Sequence, residues 1–239
     1  TLHFDSDTFS LTVNDDVIES ADLAAKRSMR GKTSVVYAYD TDKWTVTVVY
    51  ELKPKWRFVS KQLAVTAKDG SDYTVKRITL FDGQLRNEID EAFDLSSSRS
   101  LQYGLSLRLK DEGNRGCFVL VQNPSTTYLA AGQNVSAAYK PEMNWKSEQG
   151  AFPSDRLCIG LYRLTGNTFR HDMAEEWKYV QRPAAFLKEG RQIDWAEIEA
   201  VTECVRAFLL EDRQKSIRVH IGWCENDYQI DRSTAEGKV

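Results

Sequence analysis

Apolar and polar residues alternate over short runs through roughly the first two-thirds of the chain, and a period of two is the pattern of half-buried β-strands. In the run 101–109, for example, every second residue is Leu or Tyr. Turn-forming residues separate the runs, as at Asp40-Thr41-Asp42. The alternation predicts strands at 4–13, 35–39, 44–52, 57–66, 73–81, 101–109, 117–122, 128–131, 135–139 and 157–164.

Regularly spaced strands with almost no helical pattern favour two antiparallel sheets packed face to face. The predicted strands are too many for a small immunoglobulin-like domain. We therefore predict a mainly β fold for residues 1–168, a large antiparallel two-sheet sandwich of the supersandwich kind.

The pattern changes near residue 170, where a helical spacing replaces the alternation. The stretch 171–188 is compatible with a helix but contains Pro183, which interrupts helices. A second helix is predicted at 194–210, because a capping-box pattern, Asp-Trp-Ala-Glu, opens it. Apolar residues then follow at helical spacing: Trp195, Ile198, Val201, Val205, Phe208 and Leu209. With a short strand at 217–223, the order predicts a helical linker over 169–215 and the start of a second domain over 216–239.

The most informative segment is 222–237, Gly-Trp-Cys-Glu-Asn-Asp-Tyr-Gln-Ile-Asp-Arg-Ser-Thr-Ala-Glu-Gly. It resembles the first barrel strand and following loop of the α-galactosidase and raffinose-synthase group of glycoside hydrolases (family 36). The matching residues are Gly222, Trp223, Cys224, Asp227, Thr234, Ala235, Glu236 and Gly237. The segment departs from the pattern of that group at Glu225, Asn226, Tyr228 and Gln229. At these positions the group has Trp and other aromatic residues.

The resemblance implies a larger enzyme in which an N-terminal β-sandwich and a helical linker precede a catalytic (β/α)8 barrel. Its reaction would be the hydrolysis or transfer of a terminal α-linked sugar, and two carboxyl groups would serve as nucleophile and acid/base. In this group both carboxyl groups lie on later barrel strands. No catalytic residue is therefore assigned, the chain alone is expected to be inactive, and no cofactor is implied.

The resemblance also implies substrate-binding residues, since barrel enzymes bind ligands at the C-terminal ends of their strands. Trp223, Asp227 and Tyr228 fall at such an end if 217–223 is the first strand. Trp223 would offer a flat apolar face to a sugar ring, and Asp227 would accept hydrogen bonds from sugar hydroxyls. A structural interpretation stays open beside this one, because such a Trp often packs in a core and such an Asp often forms a turn or caps a helix.

Composition narrows the partners that we expect. The net charge is −3, with basic and acidic residues interspersed, so neither nucleic acid nor a membrane is an expected partner. The four cysteines lack CxxC spacing and the three histidines are scattered, so no metal site is predicted and free, mostly buried thiols are expected. The sequence contains neither a transmembrane run nor a signal peptide and starts at Thr1, which leaves its localisation open.

Two other classes of function fit parts of this pattern. The sandwich could be a non-catalytic carbohydrate-binding or adhesion module, or a structural domain that assembles by self-association. Under the glycosidase hypothesis the expected partners are a carbohydrate substrate, the remainder of the barrel in the parent chain, and a second copy in a homo-oligomer. The loop 139–145, which is aromatic and contains Pro141, is a further candidate, since a loop of this kind could reach over a barrel mouth.

Overall fold

The structure, a computed structural model, describes residues 2–54, 56–94, 104–110, 115–123, 125–163, 187–188, 191–192 and 204. Short 3-10 helices lie at Ser20–Asp22 and Ser147–Gln149. The strands are β1 (Thr8–Val13), β2 (Asp16–Glu19), β3 (Arg27–Arg30), β4 (Ser34–Asp40), β5 (Trp44–Glu51), β6 (Phe58–Ala67), β7 (Tyr73–Gln84), β8 (Ile89–Asp94), β9 (Leu105–Leu109), β10 (Arg115–Val121), β11 (Thr127–Ala131), β12 (Asn134–Tyr139), β13 (Met143–Trp145), β14 (Phe152–Pro153), β15 (Leu157–Arg163), β16 (Leu187–Lys188) and β17 (Arg191–Gln192).

These strands form two large antiparallel sheets and one small hairpin. Sheet I has the order β11-β12-β7-β1-β2, with β13 also paired to β7. Sheet II has the order β3-β4-β5-β6-β15-β10-β9-β8, with β14 also paired to β6. Strands β16 and β17 pair with each other. The described part of the chain thus confirms the predicted mainly β class with two antiparallel sheets.

The main core lies between the two sheets and follows the alternation in the sequence. In β5, Trp44, Val46 and Val48 are buried, while the threonines between them are half-buried. Phe9, Leu11 and Val13 on β1 and Leu63 and Val65 on β6 belong to the same core cluster. Each such side chain contributes about 1.5–3 kcal/mol by leaving water, which makes this layer the main source of stability.

Strand β10 departs from the half-buried pattern, because it is buried on both faces. Cys117, Val119 and Val121 point into the core between the sheets. Phe118 and Leu120 alternate with them and are buried as well, although they point the other way. The same outward face contains further buried side chains on β6 and β15. We call this set the outer platform of sheet II; it consists of Phe58, Ser60, Phe118, Leu120, Cys158 and Tyr162.

The predicted strands agree with the observed ones except at some ends and edges. The predicted strand 4–13 begins only at Thr8, and Phe4 makes an isolated bridge to Leu85. The edge strands β2, β3 and β8 and the short β13 and β14 were not predicted. These are short, and their residues are largely exposed or half-exposed, so they lack the alternation by which strands are recognised.

The candidate loop that follows Tyr139 is built into one end of the sandwich. Residues 143–145 of the loop form β13, which pairs with β7 of sheet I, and the chain then leads to β14, which pairs with β6 of sheet II. The Tyr73 hydroxyl donates to the Val65 carbonyl at 2.6 Å and accepts from the Phe152 amide at 3.2 Å, joining the two sheets there. The segment therefore closes the core at this end.

The helical linker predicted for 169–215 is described only at 187–188, 191–192 and 204, and the barrel start predicted for 216–239 lies outside the described residues. Strands β16 and β17 were not predicted, and at 187–188 the chain is extended where the sequence was compatible with a helix, because the two strands pair as a hairpin. Cys204 is the exception within 194–210, and it is helical and buried. The domain boundaries at 168 and 215 also fall outside the described ranges. These predictions stay predictions. Within the described part of the chain, no helix has the length and apolar character that crossing a membrane requires.

Candidate functional site

The predicted substrate-binding residues Trp223, Asp227 and Tyr228 lie outside the described residues. Their proposed contacts with a sugar therefore stay a prediction. The described part of the chain offers two other places where charged and aromatic side chains meet, one at each end of the sandwich. The pattern of the sequence indicated neither place.

The first place is a buried ion pair between the two sheets. Lys61 lies on β6 at an inward-facing position, in phase with Leu63 and Val65, and its side chain is only 2% exposed. Asp7 lies two residues before Phe9, in phase with the inward residues of β1, and its carboxylate pairs with the Lys61 ammonium. The Asp7 side chain is 30% exposed, so water reaches the pair from one side only.

Aromatic rings enclose the rest of the Lys61 ammonium. The Nζ atom lies 5.7 Å from the ring centroids of Phe9 and Tyr50 and 5.9 Å from that of Phe81, distances at which a cation is attracted to a ring face. The Tyr50 hydroxyl donates to the second oxygen of Asp7 at 2.6 Å. Both carboxylate oxygens of Asp7 are thus engaged, one by the ammonium and one by the phenol.

Burial perturbs the pKa values of this cluster. It lowers the pKa of Lys61, because a charged ammonium loses its water shell, although the Asp7 carboxylate opposes that effect. It raises the pKa of Tyr50, and the Asp7 charge raises it further, so the phenol stays protonated. The ammonium is paired and enclosed, and we therefore interpret the cluster as a structural connection between β1 and β6. The signal in the sequence was a lysine at an inward position of a strand.

The second place is a polar groove at the opposite end of the same strands. It has a volume of about 210 Å³ and is lined by Asn14, Asp15, Asp16, Lys43, Trp44 and Asp69. Asp16 accepts hydrogen bonds from Lys43 Nζ at 2.9 Å and from Trp44 Nε1 at 2.9 Å. These bonds to Lys43 and Trp44 lower the pKa of Asp16.

The groove is better suited to joining turns than to holding a sugar. The Trp44 ring is buried and packs edge-on against Tyr73, so it offers no flat face to a ligand. Asp15 pairs with Lys76 at 3.0 Å, and Asp69 accepts from the amide and hydroxyl of Ser71. Each of its carboxylates is therefore already engaged by the protein itself.

The cysteines of the described chain are buried thiols, as the sequence predicted. Cys117, Cys158 and Cys204 are free and buried. Burial raises the pKa of Cys117 to about 12 and also raises that of Cys158. Neither thiol ionises readily at neutral pH, which excludes both as activated nucleophiles. Within the described ranges, no group of three His, Cys, Asp or Glu residues is arranged to hold a metal ion.

Comparison with known proteins gives little further guidance. No protein-family model matches the chain, and no curated protein does. Among solved structures, the chain is similar to one described as "Putative kojibiose phosphorylase from human microbiome", with a TM-score of 0.48 and 9% identity. The match covers 83% of this chain but only 24% of that one, so the chain spans about a quarter of that protein. At this level of similarity the match supports no argument about function.

Proposed function

We propose that this chain is the N-terminal region of a larger carbohydrate-active enzyme that resembles α-galactosidases and hydrolyses or transfers a terminal α-linked sugar. In this proposal the sandwich supports a catalytic barrel that begins near residue 216. Trp223, Asp227 and Tyr228 contact the sugar, and the two catalytic carboxyl groups lie on later strands of the barrel.

The segment 222–237 carries the proposal, because eight of its residues match the first-strand motif of that group without a gap. The architecture is compatible with it, since a large two-sheet sandwich precedes the motif. Cys204, which lies between the sandwich and the motif, is helical. This single helical residue is compatible with the linker helix that the proposal expects.

A supporting role for the sandwich agrees with how its reactive side chains are used. Among the described residues, Lys61 is paired and enclosed, Cys117 and Cys158 are buried, and the acidic residues of the polar groove are engaged. Catalysis by a glycosidase needs two accessible carboxyl groups about 5–5.5 Å apart in a retaining enzyme. In the proposal, that pair lies on later strands of the barrel.

The alternative of a free-standing carbohydrate-binding module receives less support. Such modules bind sugars on exposed aromatic faces, but Trp44 and Trp56 are buried. Trp145 is half-buried, packs against Phe152, and donates its indole N–H to the Gly150 carbonyl at 2.9 Å. The described tryptophans thus serve packing. Binding of glycans by this chain alone, measured on a glycan array, would favour the alternative instead.

The proposal is tested by expressing the complete reading frame that encodes this chain and assaying the product on aryl α- and β-glycosides. We expect turnover of an aryl α-glycoside. Asp227→Asn should reduce kcat/KM by about 10²-fold, because a hydrogen-bond acceptor for the sugar is lost at the site of reaction. Inertness towards the whole panel would contradict the proposal.

Asp231→Asn is the matched control for Asp227→Asn. Asp231 lies in the same segment, carries the same charge, and is not part of the matching motif. We expect it to retain kcat/KM close to that of the unmodified enzyme. An equal loss in both variants would indicate that the segment is only structurally sensitive.

A further inference from the structure

We propose that the outer platform of sheet II is the docking surface for residues 194–205, the first part of the helix predicted at 194–210, and that these residues close a second apolar layer on the sandwich. The sequence alone gave the helix no partner. The proposal goes beyond the glycosidase function, because it holds whether or not a barrel follows.

The outer platform is buried although it points away from the main core. On β15, Leu157 and Ile159 face the core between the sheets, whereas Cys158 and Tyr162 alternate with them and face outward. Cys158 and Phe118 are nevertheless 0% exposed. Apolar side chains on the outward face of a sheet reach this exposure only when another element covers them.

Two glycines flatten the outer platform. Gly160 lies opposite Phe118 on the neighbouring strand, and a Cβ there would come within 2.7 Å of the Phe118 ring. Gly116 lies opposite Tyr162, and a Cβ there would clash with the Tyr162 ring. Because both partners lack side chains, the two rings can lie flat across the sheet. A flat apolar face of this kind is suited to packing against a helix.

Buried polar groups indicate that the covering layer excludes water. The Ser106 hydroxyl is 0% exposed and donates to the Tyr162 hydroxyl at 2.8 Å. Ser60, on the same face of β6, is also buried. A hydroxyl in contact with water can form its hydrogen bonds with water, whereas a buried hydroxyl needs a partner within the protein. The bond between Ser106 and Tyr162 therefore fits a dry interface.

Cys204 identifies the covering element. It is helical and only 4% exposed, and its thiol donates to the carbonyl oxygen of Leu161 on β15 at 3.4 Å. In the predicted helix, Val201 and Val205 flank it within one turn. The helix from 194 to 205 would be about 18 Å long, and β6, β15, β10 and β9 together span about 14 Å, so one helix can cross the outer platform.

The test compares two buried cysteines of the full chain that lie on opposite faces of sheet II. Cys158 belongs to the outer platform, and Cys117 faces the main core. Pulsed labelling with a thiol reagent, followed by mass spectrometry, gives a rate for each. We expect Val201→Asp to raise the Cys158 rate about tenfold relative to that of Cys117, since a buried charge weakens the covering layer locally.

Ala196→Asp is the control, because it adds the same charge on the opposite side of the predicted helix, and it should leave the ratio unchanged. Val201→Ala is the milder second variant for the case that Val201→Asp unfolds the whole chain. It should raise the ratio severalfold. A ratio that stays at its unmodified value in both Val201 variants would overturn the proposal, as would an equal rise with Ala196→Asp.

Discussion

At the scale of single residues, the notable feature is a lysine inside a sandwich. Lysine is rarely buried unless a partner compensates its charge. Here Asp7 supplies the opposite charge, and the rings of Phe9, Tyr50 and Phe81 surround the ammonium. The two partners are not equivalent, because Asp7 is partly exposed and can be hydrated, whereas Lys61 cannot. Removing either partner should therefore have a different consequence.

Asp7→Ala should lower the free energy of unfolding by about 3 kcal/mol, since it leaves an uncompensated charge in the interior. Lys61→Met should stay within about 1 kcal/mol of the unmodified protein, because Asp7 can then turn to water. The double variant should recover most of the loss caused by Asp7→Ala. Urea unfolding of the four proteins measures these values.

Asp15→Ala is the matched control for Asp7→Ala. Asp15 also pairs with a lysine, Lys76, but its side chain is 98% exposed. We expect a change below about 0.5 kcal/mol, as for other exposed pairs. Equal losses in Asp7→Ala and Asp15→Ala would contradict the interpretation of the buried pair.

The buried thiols predict a loss of stability in alkali. Burial raises the pKa of both Cys117 and Cys158 above the value of about 8.5 that an unfolded thiol has. Above that pH the unfolded chain loses the two protons and the folded chain keeps them. Stability should therefore fall as pH rises, by up to about 1.4 kcal/mol per pH unit for each thiol.

The measurement is urea unfolding at pH 7.5, 8.5 and 9.5 under reducing conditions. The variant with Cys117→Ala and Cys158→Ala should show a shallower decline than the unmodified protein. The lowered pKa of Lys61 makes stability rise with pH instead, since the unfolded chain holds more protons than the folded chain at this residue. Both proteins contain Lys61, so this contribution cancels in the comparison. Parallel curves would rule out the thiols as the cause.

At the scale of elements, β10 and β15 show how glycine positions shape a sheet surface. Gly116 and Gly160 each lie opposite an aromatic residue of the outer platform, whose ring occupies the space above the glycine. A glycine within a strand usually weakens it. Here the loss is offset by the close approach of the rings, which a larger residue would prevent.

Gly116→Ala should therefore lower the free energy of unfolding by about 1–3 kcal/mol through overpacking against Tyr162. In a Tyr162→Leu background the same change should have a much smaller effect, because the ring that meets the new methyl group is absent. A double-mutant cycle in urea measures this coupling. Additive effects would contradict the direct contact.

At the scale of the whole molecule, the sandwich is a scaffold with two apolar layers. One layer lies between the sheets, and the other lies on the outer platform of sheet II. Among the described residues, Lys61 and Asp7 pair between the sheets, and Cys117 and Cys158 are packed in the two apolar layers. Under the proposed function, catalysis takes place outside the sandwich. Weakening the sandwich should therefore lower the thermal stability of the proposed enzyme and leave its kcat/KM unchanged.

In the product of the complete reading frame, Asp7→Ala should leave kcat/KM at 25 °C unchanged. It should lower the temperature of half-inactivation by about 6–12 °C, which corresponds to about 3 kcal/mol in a domain of this size. Asp15→Ala should change neither quantity. A large loss of kcat/KM at 25 °C in Asp7→Ala would place part of the active site in the sandwich instead.

The sequence by itself determined the class of fold and most of the strands. The alternation in β1, β5 and β12 is strong, because each has one face in the core and one face that is more exposed. The residue types also predicted the turn between β4 and β5 and the burial of the cysteines. The edge strands β2 and β3 were missed, since pairing with a neighbour holds them and their own pattern is weak.

Only the tertiary structure decided which residues meet. Asp7 and Lys61 are far apart in the chain and come together because β1 and β6 face each other across the core. The burial of β10 on both faces likewise depends on what covers sheet II, which no pattern within the strand records. The periodicity of a strand indicates the environment of that strand alone. An ion pair or a second core layer depends on how elements that are distant in the chain pack together. That packing is determined only when the whole chain folds.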